Sequence, residues 1–159
     1  MRASDLPDDL RGALVVAVDD SPPAREALRW AAGLATGLDR TLHVLSVWNF
    51  ITGTAPSDQA AHETLSLERW QAEAERRLAA LVAEELGDAE VRPVVLHGNT
   101  TPVLLATSEL ADHLVVGSRG RGGFTGLLLG STSEQVVRHG SCPVTVVRHG
   151  CTAPAPTAA

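Results

Sequence analysis

Lysine is absent from this chain, and all thirteen basic residues are arginine. That excludes the Gly-Lys-Ser/Thr phosphate loop, a protein-kinase active site and any Schiff base on a lysine amine. Tyrosine is absent as well and phenylalanine occurs only twice, too few rings for a platform on which single-stranded nucleic acid stacks. The two cysteines, Cys142 and Cys151, form neither a CxxC pair nor a disulfide framework, so a reducing compartment is expected. No apolar run approaches the roughly 18 residues that a membrane span needs. The acidic start, Met1 to Asp9, lacks the basic-then-apolar order of a signal peptide. A cytoplasmic protein is expected. Nineteen acidic residues against thirteen basic ones leave a net charge of −6, which argues against a general affinity for nucleic acid or anionic membrane.

What is present is the make-up of one ordinary globular domain, 159 residues with 44% hydrophobic and 20% charged. Residues 1–11 and the tail 150–159 lack periodicity and are expected to be mobile, leaving 12–149 as the folded unit. Inside it, short apolar runs alternate with longer helical patterns. Ala13 to Val18 reads as a strand buried on both faces and ends at Asp19. Ser21 and Pro22 are a helix N-cap and first helical residue, followed by the stripe Ala24, Ala27, Leu28, Ala31 and Ala35, with Gly37 as the stop. Thr41 to Trp48 is a second strand, and 49–61 a long loop. A charged helix from about His62 to Leu86 carries the stripe Leu67, Trp70, Ala74, Leu78, Leu81 and Val82, and Gly87 ends it. Val91 to His97, a helix from Thr101 to about Ala111, His113 to Val116, a helix from Ser131 to His139, and Pro143 to Arg148 complete the order.

Five strands separated by single helices imply an α/β fold: one open, parallel, doubly wound sheet with right-handed crossovers. Proline cannot donate to a ladder, so Pro93 and Pro143 place strands three and five at the edges. The strand order is then 3-2-1-4-5. In that order the chain reverses between strands one and four, and a ligand crevice is expected at their carboxyl ends. Asp19 and Gly117 are the residues that end those strands.

The strongest local signal begins there. Gly117-Ser-Arg-Gly120, nine further residues, and Gly130-Ser131-Thr132 run from a strand end to a helix start. Free amides and the positive dipole end of that helix make an anion site, and Gly130, Gly117 and Gly120 would let a phosphate approach the backbone. Ser131 to Glu134 matches a capping box. Other candidates carry less. Six histidines (43, 62, 97, 113, 139 and 149) show no metal-ligand spacing. No Gly-x-Ser-x-Gly elbow anchors a hydrolase, and Cys142 reads as a buried strand-end thiol. Trp48 either stacks on a base or covers the sheet end.

From Val15-Val-Ala-Val-Asp19-Asp-Ser21 to Pro143-Val-Thr-Val-Val147, and above all over 116–132, the sequence resembles the universal stress protein family. The Gly-x2-Gly-x9-Gly-Ser/Thr pattern is that of the family's ATP-binding branch. The resemblance implies that Asp19 contacts the ribose and phosphate region and that Val47 lines the adenine. It also implies that Gly117, Gly120, Gly130, Ser131 and Thr132 cradle the phosphates, with Val116 and Arg119 beside them. It further implies a homodimer paired through the fifth strands, 143–148. Where the family often has glycine after the strand-one aspartate, this chain has Asp20. Two carboxylates beside a polyphosphate call for Mg²⁺ or for arginines such as Arg119 and Arg121, unless Asp20 points to solvent as a surface turn residue does. With no lysine and no evident general base, the expected role is ATP-dependent stress-response signalling. A slow ATPase and a dimeric interaction protein with an empty glycine loop are the alternatives.

Overall fold

The computed structural model describes residues 2–49, 67–120 and 128–152. The strands are β1 (Leu14–Val18), β2 (Leu42–Trp48), β3 (Val91–His97), β4 (His113–Gly117) and β5 (Val144–Val147). The helices are α1 (Pro22–Gly37), α2 (Leu67–Leu86), α3 (Thr100–Ser108) and α4 (Ser131–His139). All pairings are parallel, and the order is β3-β2-β1-β4-β5. Pro93 lies in β3, which has a strand on one side only, so its missing N–H is tolerated on the other.

Alternation along the strands sends successive side chains to opposite faces. Leu14, Val16, Val44 and Val115 meet Leu28 and the alanines of α1, together with Leu78 and Leu81 of α2. Val15, Leu45, Leu114 and Val116 meet Val103 and Leu104 of α3 and Val136 of α4. The α1 stripe is the one read from sequence: Ala24, Ala27, Leu28, Ala31 and Ala35 are its buried residues. Small side chains let this helix lie close on the central strands.

Four local expectations are corrected. Residues 3–5 and 8–10 form two 3-10 turns, and Leu6 and Leu10 are buried in the core beside α3, so the N-terminal segment covers that core. Gly37 is still helical, and the left-handed residue after α1 is Asp39, with φ 51°. Leu67 is 57% exposed and does not join the buried stripe of α2. Helix α3 stops at Ser108 rather than near Ala111. The expected long loop 49–61 and the first residues of the helix expected from His62 lie almost wholly outside the described residues.

Candidate functional site

The turn after β1 is organised by Asp19. Its Oδ1 accepts hydrogen bonds from Ser21 N at 3.1 Å and Ser21 Oγ at 2.6 Å. Ser21 Oγ in turn accepts from Ala24 N at 3.4 Å, the cap expected of it. The second oxygen, Oδ2, faces the other side of the crevice, where a Cβ on residue 120 would stand 2.5 Å from it. A side chain at 120 would have to displace the Asp19 carboxylate from this position.

Gly117 has a different reason. A Cβ there would lie 2.9 Å from the Pro23 carbonyl carbon and oxygen. Its bareness lets β4 end against the first turn of α1. Val116 before it is buried in the core with Val136, while Val47 at the end of β2 is half-buried over the same cluster.

The strand-to-helix segment is clasped at its two described ends. Gly130 N donates to Ser118 O at 2.7 Å, and Ser118 N donates to Val147 O at 2.8 Å. A Cβ on residue 130 would approach Arg119 Cα to 3.4 Å. The N-cap of α4 is Gly130, with no side-chain cap, and Glu134 N bonds to Gly130 O at 2.9 Å. This corrects the capping box: Ser131 is the first helical residue, and the Glu134 carboxylate pairs with Arg138 at 2.9 Å. Because the N-cap is a glycine, and among the described residues no side chain caps this end, the first-turn amides keep their capacity for an anion. Ser131 is exposed there and Thr132 is half-buried, 3.4 Å from Thr101 Oγ1. Ser133, which the sequence reading passed over, is buried and donates to Gly117 O at 2.7 Å. A third hydroxyl in a row at a helix start was the available signal.

Arg119 lines a cleft of about 590 Å³ with Ser118, Leu128, Arg148 and His149, on the β5 side of the segment. Asp20 turns away: its Oδ1 accepts from Arg25 Nε at 3.0 Å and Nη2 at 2.6 Å. Trp48 is buried against α2, stacked on Trp70 with centroids 6.4 Å apart, and its indole N–H donates to Gln71 Oε1 at 2.8 Å. It covers the sheet end. Arg121 lies outside the described residues.

Of the remaining ionisable groups, His43 is buried, and its ring nitrogens have no hydrogen-bond partner among the described residues. Burial holds its pKa below the usual value, against the opposing pull of Asp9. Burial likewise pushes the Cys142 thiol up, as suits a packed sulfur. Among the described residues no three His, Cys, Asp or Glu side chains gather as a metal site, and no helix is long and apolar enough to cross a membrane.

An open parallel sheet with a glycine-lined crevice where the strand order reverses is the frame of the doubly wound ligand-binding proteins. The universal stress protein family matches residues 11–148, and the chain belongs to that family. Universal stress protein Rv1996 of Mycobacterium tuberculosis is 33% identical over 149 residues, covering 84% of this chain and 47% of the relative. The chain thus spans about half the length of the curated relatives it matches. Among solved structures, a universal stress protein in complex with cAMP superposes with a TM-score of 0.61 at 20% identity, covering 86% of this chain and 96% of that one. The universal stress protein from Archaeoglobus fulgidus in complex with dAMP gives a TM-score of 0.52 at 19% identity, with 87% and 98% covered.

Proposed function

We propose that this chain binds ATP with Mg²⁺ in the crevice between β1 and β4, and that it acts as a nucleotide-dependent signalling dimer in the cytoplasm. The observation that carries the proposal is the meeting of Asp19 Oδ2 with Gly120 across from the uncapped N-terminus of α4. A carboxylate suited to ribose hydroxyls and the first-turn amides of α4, suited to phosphate, are then neighbours across Gly120. Gly130, Ser131 and Thr132 would hold the phosphates, with Val116, Gly117, Arg119 and Gly120 forming the adjoining wall. Val47 would sit under the base. The relatives bound to cAMP and dAMP support an adenine nucleotide as the ligand class. Mg²⁺ would supply charge neutralisation on the phosphates. The chain's own contribution is to place amides and to keep Asp19 fixed through Ser21.

The dimer is proposed from the outer edge of β5. Val144–Val147 has β4 on one side, and pairing two copies about a two-fold axis would satisfy the other. With no lysine in the chain, rapid phosphoryl transfer is not expected.

Titration calorimetry with ATP, ADP, AMP and cAMP, with and without Mg²⁺, tests the binding. Micromolar ATP affinity that Ser131→Glu reduces at least about tenfold is the expected result, because a carboxylate at the helix start competes for the same amides. No heat with any of the four nucleotides would overturn it. Sedimentation of the protein as a monomer at micromolar concentration would overturn the dimer.

A further inference from the structure

The turn that presents Asp19 is continued by a residue in an uncommon conformation. Asp20 has φ 65°, in the left-handed region that few residues other than glycine enter, Asp among them. Its carboxylate is gripped by Arg25, which uses Nε and Nη2 on the one oxygen, Oδ1. The third nitrogen of the fork, Nη1, reaches α2, 2.8 Å from both Glu84 Oε2 and Glu85 Oε1. Glu85 is also paired with Arg29, and its side chain is only 10% exposed. The guanidinium is therefore held from both sides. Its backbone belongs to the same unit, since Arg25 N donates to Ser21 O at 3.0 Å, and Ser21 is the residue that fixes Asp19.

We propose that Arg25 is a positioning residue for polyphosphate binding: it draws the Asp20 charge away from the crevice. This rests on the nucleotide reading above. Among the described residues two guanidiniums, Arg25 and Arg29, stand against three carboxylates, Asp20, Glu84 and Glu85, a balance of −1. Removing the Arg25 charge makes that balance −2 one residue from Asp19. The penalty falls on an anionic ligand and leaves a neutral one nearly untouched, because it acts through charge. It also replaces the need for a metal ion to separate Asp20 from the phosphates, the role that the pair of adjacent carboxylates suggested from sequence.

The test compares ATP in Mg²⁺ with adenosine, by titration calorimetry, on four proteins: wild type, Arg25→Gln, Asp20→Asn and the double variant. Asparagine keeps the left-handed turn and drops the charge. Arg25→Gln is expected to weaken ATP about tenfold and adenosine less than about twofold. Asp20→Asn, with the balance at 0, is expected to bind ATP more tightly than wild type, and the double variant, back at −1, to match wild type within about twofold. Arg25→Lys, which keeps the charge on a single contact, is expected to fall between wild type and Arg25→Gln and guards against a folding defect. Equal losses for ATP and adenosine, a double variant as weak as Arg25→Gln, or no loss in Arg25→Gln would each overturn the proposal alone. A wild-type protein that binds neither ligand would overturn the nucleotide reading and this proposal together.

Discussion

The two faces of the sheet handle polar groups in opposite ways. Against α1 and α2 the interior is apolar, and charge is confined to the rim, where Arg25, Arg29 and Glu85 pair with one another. Against α3 and α4 neutral polar groups are taken inside. Thr107 donates to Val103 O, Ser108 donates to Leu105 O and accepts from Ser141 N, and Ser133 donates to Gly117 O. A hydroxyl is satisfied by one backbone partner, whereas a buried ion needs several, so hydroxyls go in and ions stay at the edge. His43 belongs to the second face by strand alternation, and it breaks that face's rule by having no such partner.

The contrast sets the size of what mutation should do. Gly117→Ala drives a methyl into the backbone of α1 and should lose about 3 kcal/mol in urea denaturation, whatever ligand is present. A near-neutral result would mean that the α1 face is not closed at that point. Ser133→Ala strips a buried carbonyl of its donor and should lose about 1.5 kcal/mol, with weaker ATP binding as the clasp loosens. His43→Leu should gain about 1 kcal/mol at neutral pH, since it removes a buried imidazole whose ring nitrogens are poorly satisfied among the described residues. Smallest of all, Arg29→Gln should move the melting temperature by about 1 °C, because Arg29 sits half in solvent.

Acid sharpens the same contrast. Burial lowers the pKa of both His43 and His113 below the usual 6.5, so the unfolded chain takes up protons more readily than the folded one. Stability is therefore full above pH 6.5 and declines as the pH falls below it. Replacing His43 by Leu should flatten that decline, and a chemical-denaturation series between pH 5 and pH 7 measures the change of slope. An unchanged slope would show that His43 is already charged or exposed to water.

Much of the architecture was legible because it rests on local periodicity. The alanine stripe of α1 and the prolines at the outer strands belong to single segments, and each agrees with the structure. What escaped is set by residues far apart in sequence. Nothing within 117–132 tells that Gly117 is bare because Pro23 crosses it, or that Gly120 faces Asp19. That Asp20 would face solvent was readable from turn preferences, but not that Arg25 pairs with it while being anchored on Glu84 and Glu85 of α2. The capping box failed by one position: Gly130 serves as N-cap too, and the Ser-Thr-Ser run fits either register. Trp48 covers the sheet end, the commoner role for an aromatic there, but its partners Trp70 and Gln71 lie on a helix more than twenty residues on.

The short turns ahead of β1 bear on how shortened versions of this chain should be made. The family match begins at Arg11, yet Leu6 and Leu10 plug the core beside α3. A fragment trimmed to the match would open a greasy hollow to water, and its poor yield would be mistaken for a fault of the crevice. Purification handles belong at the other terminus.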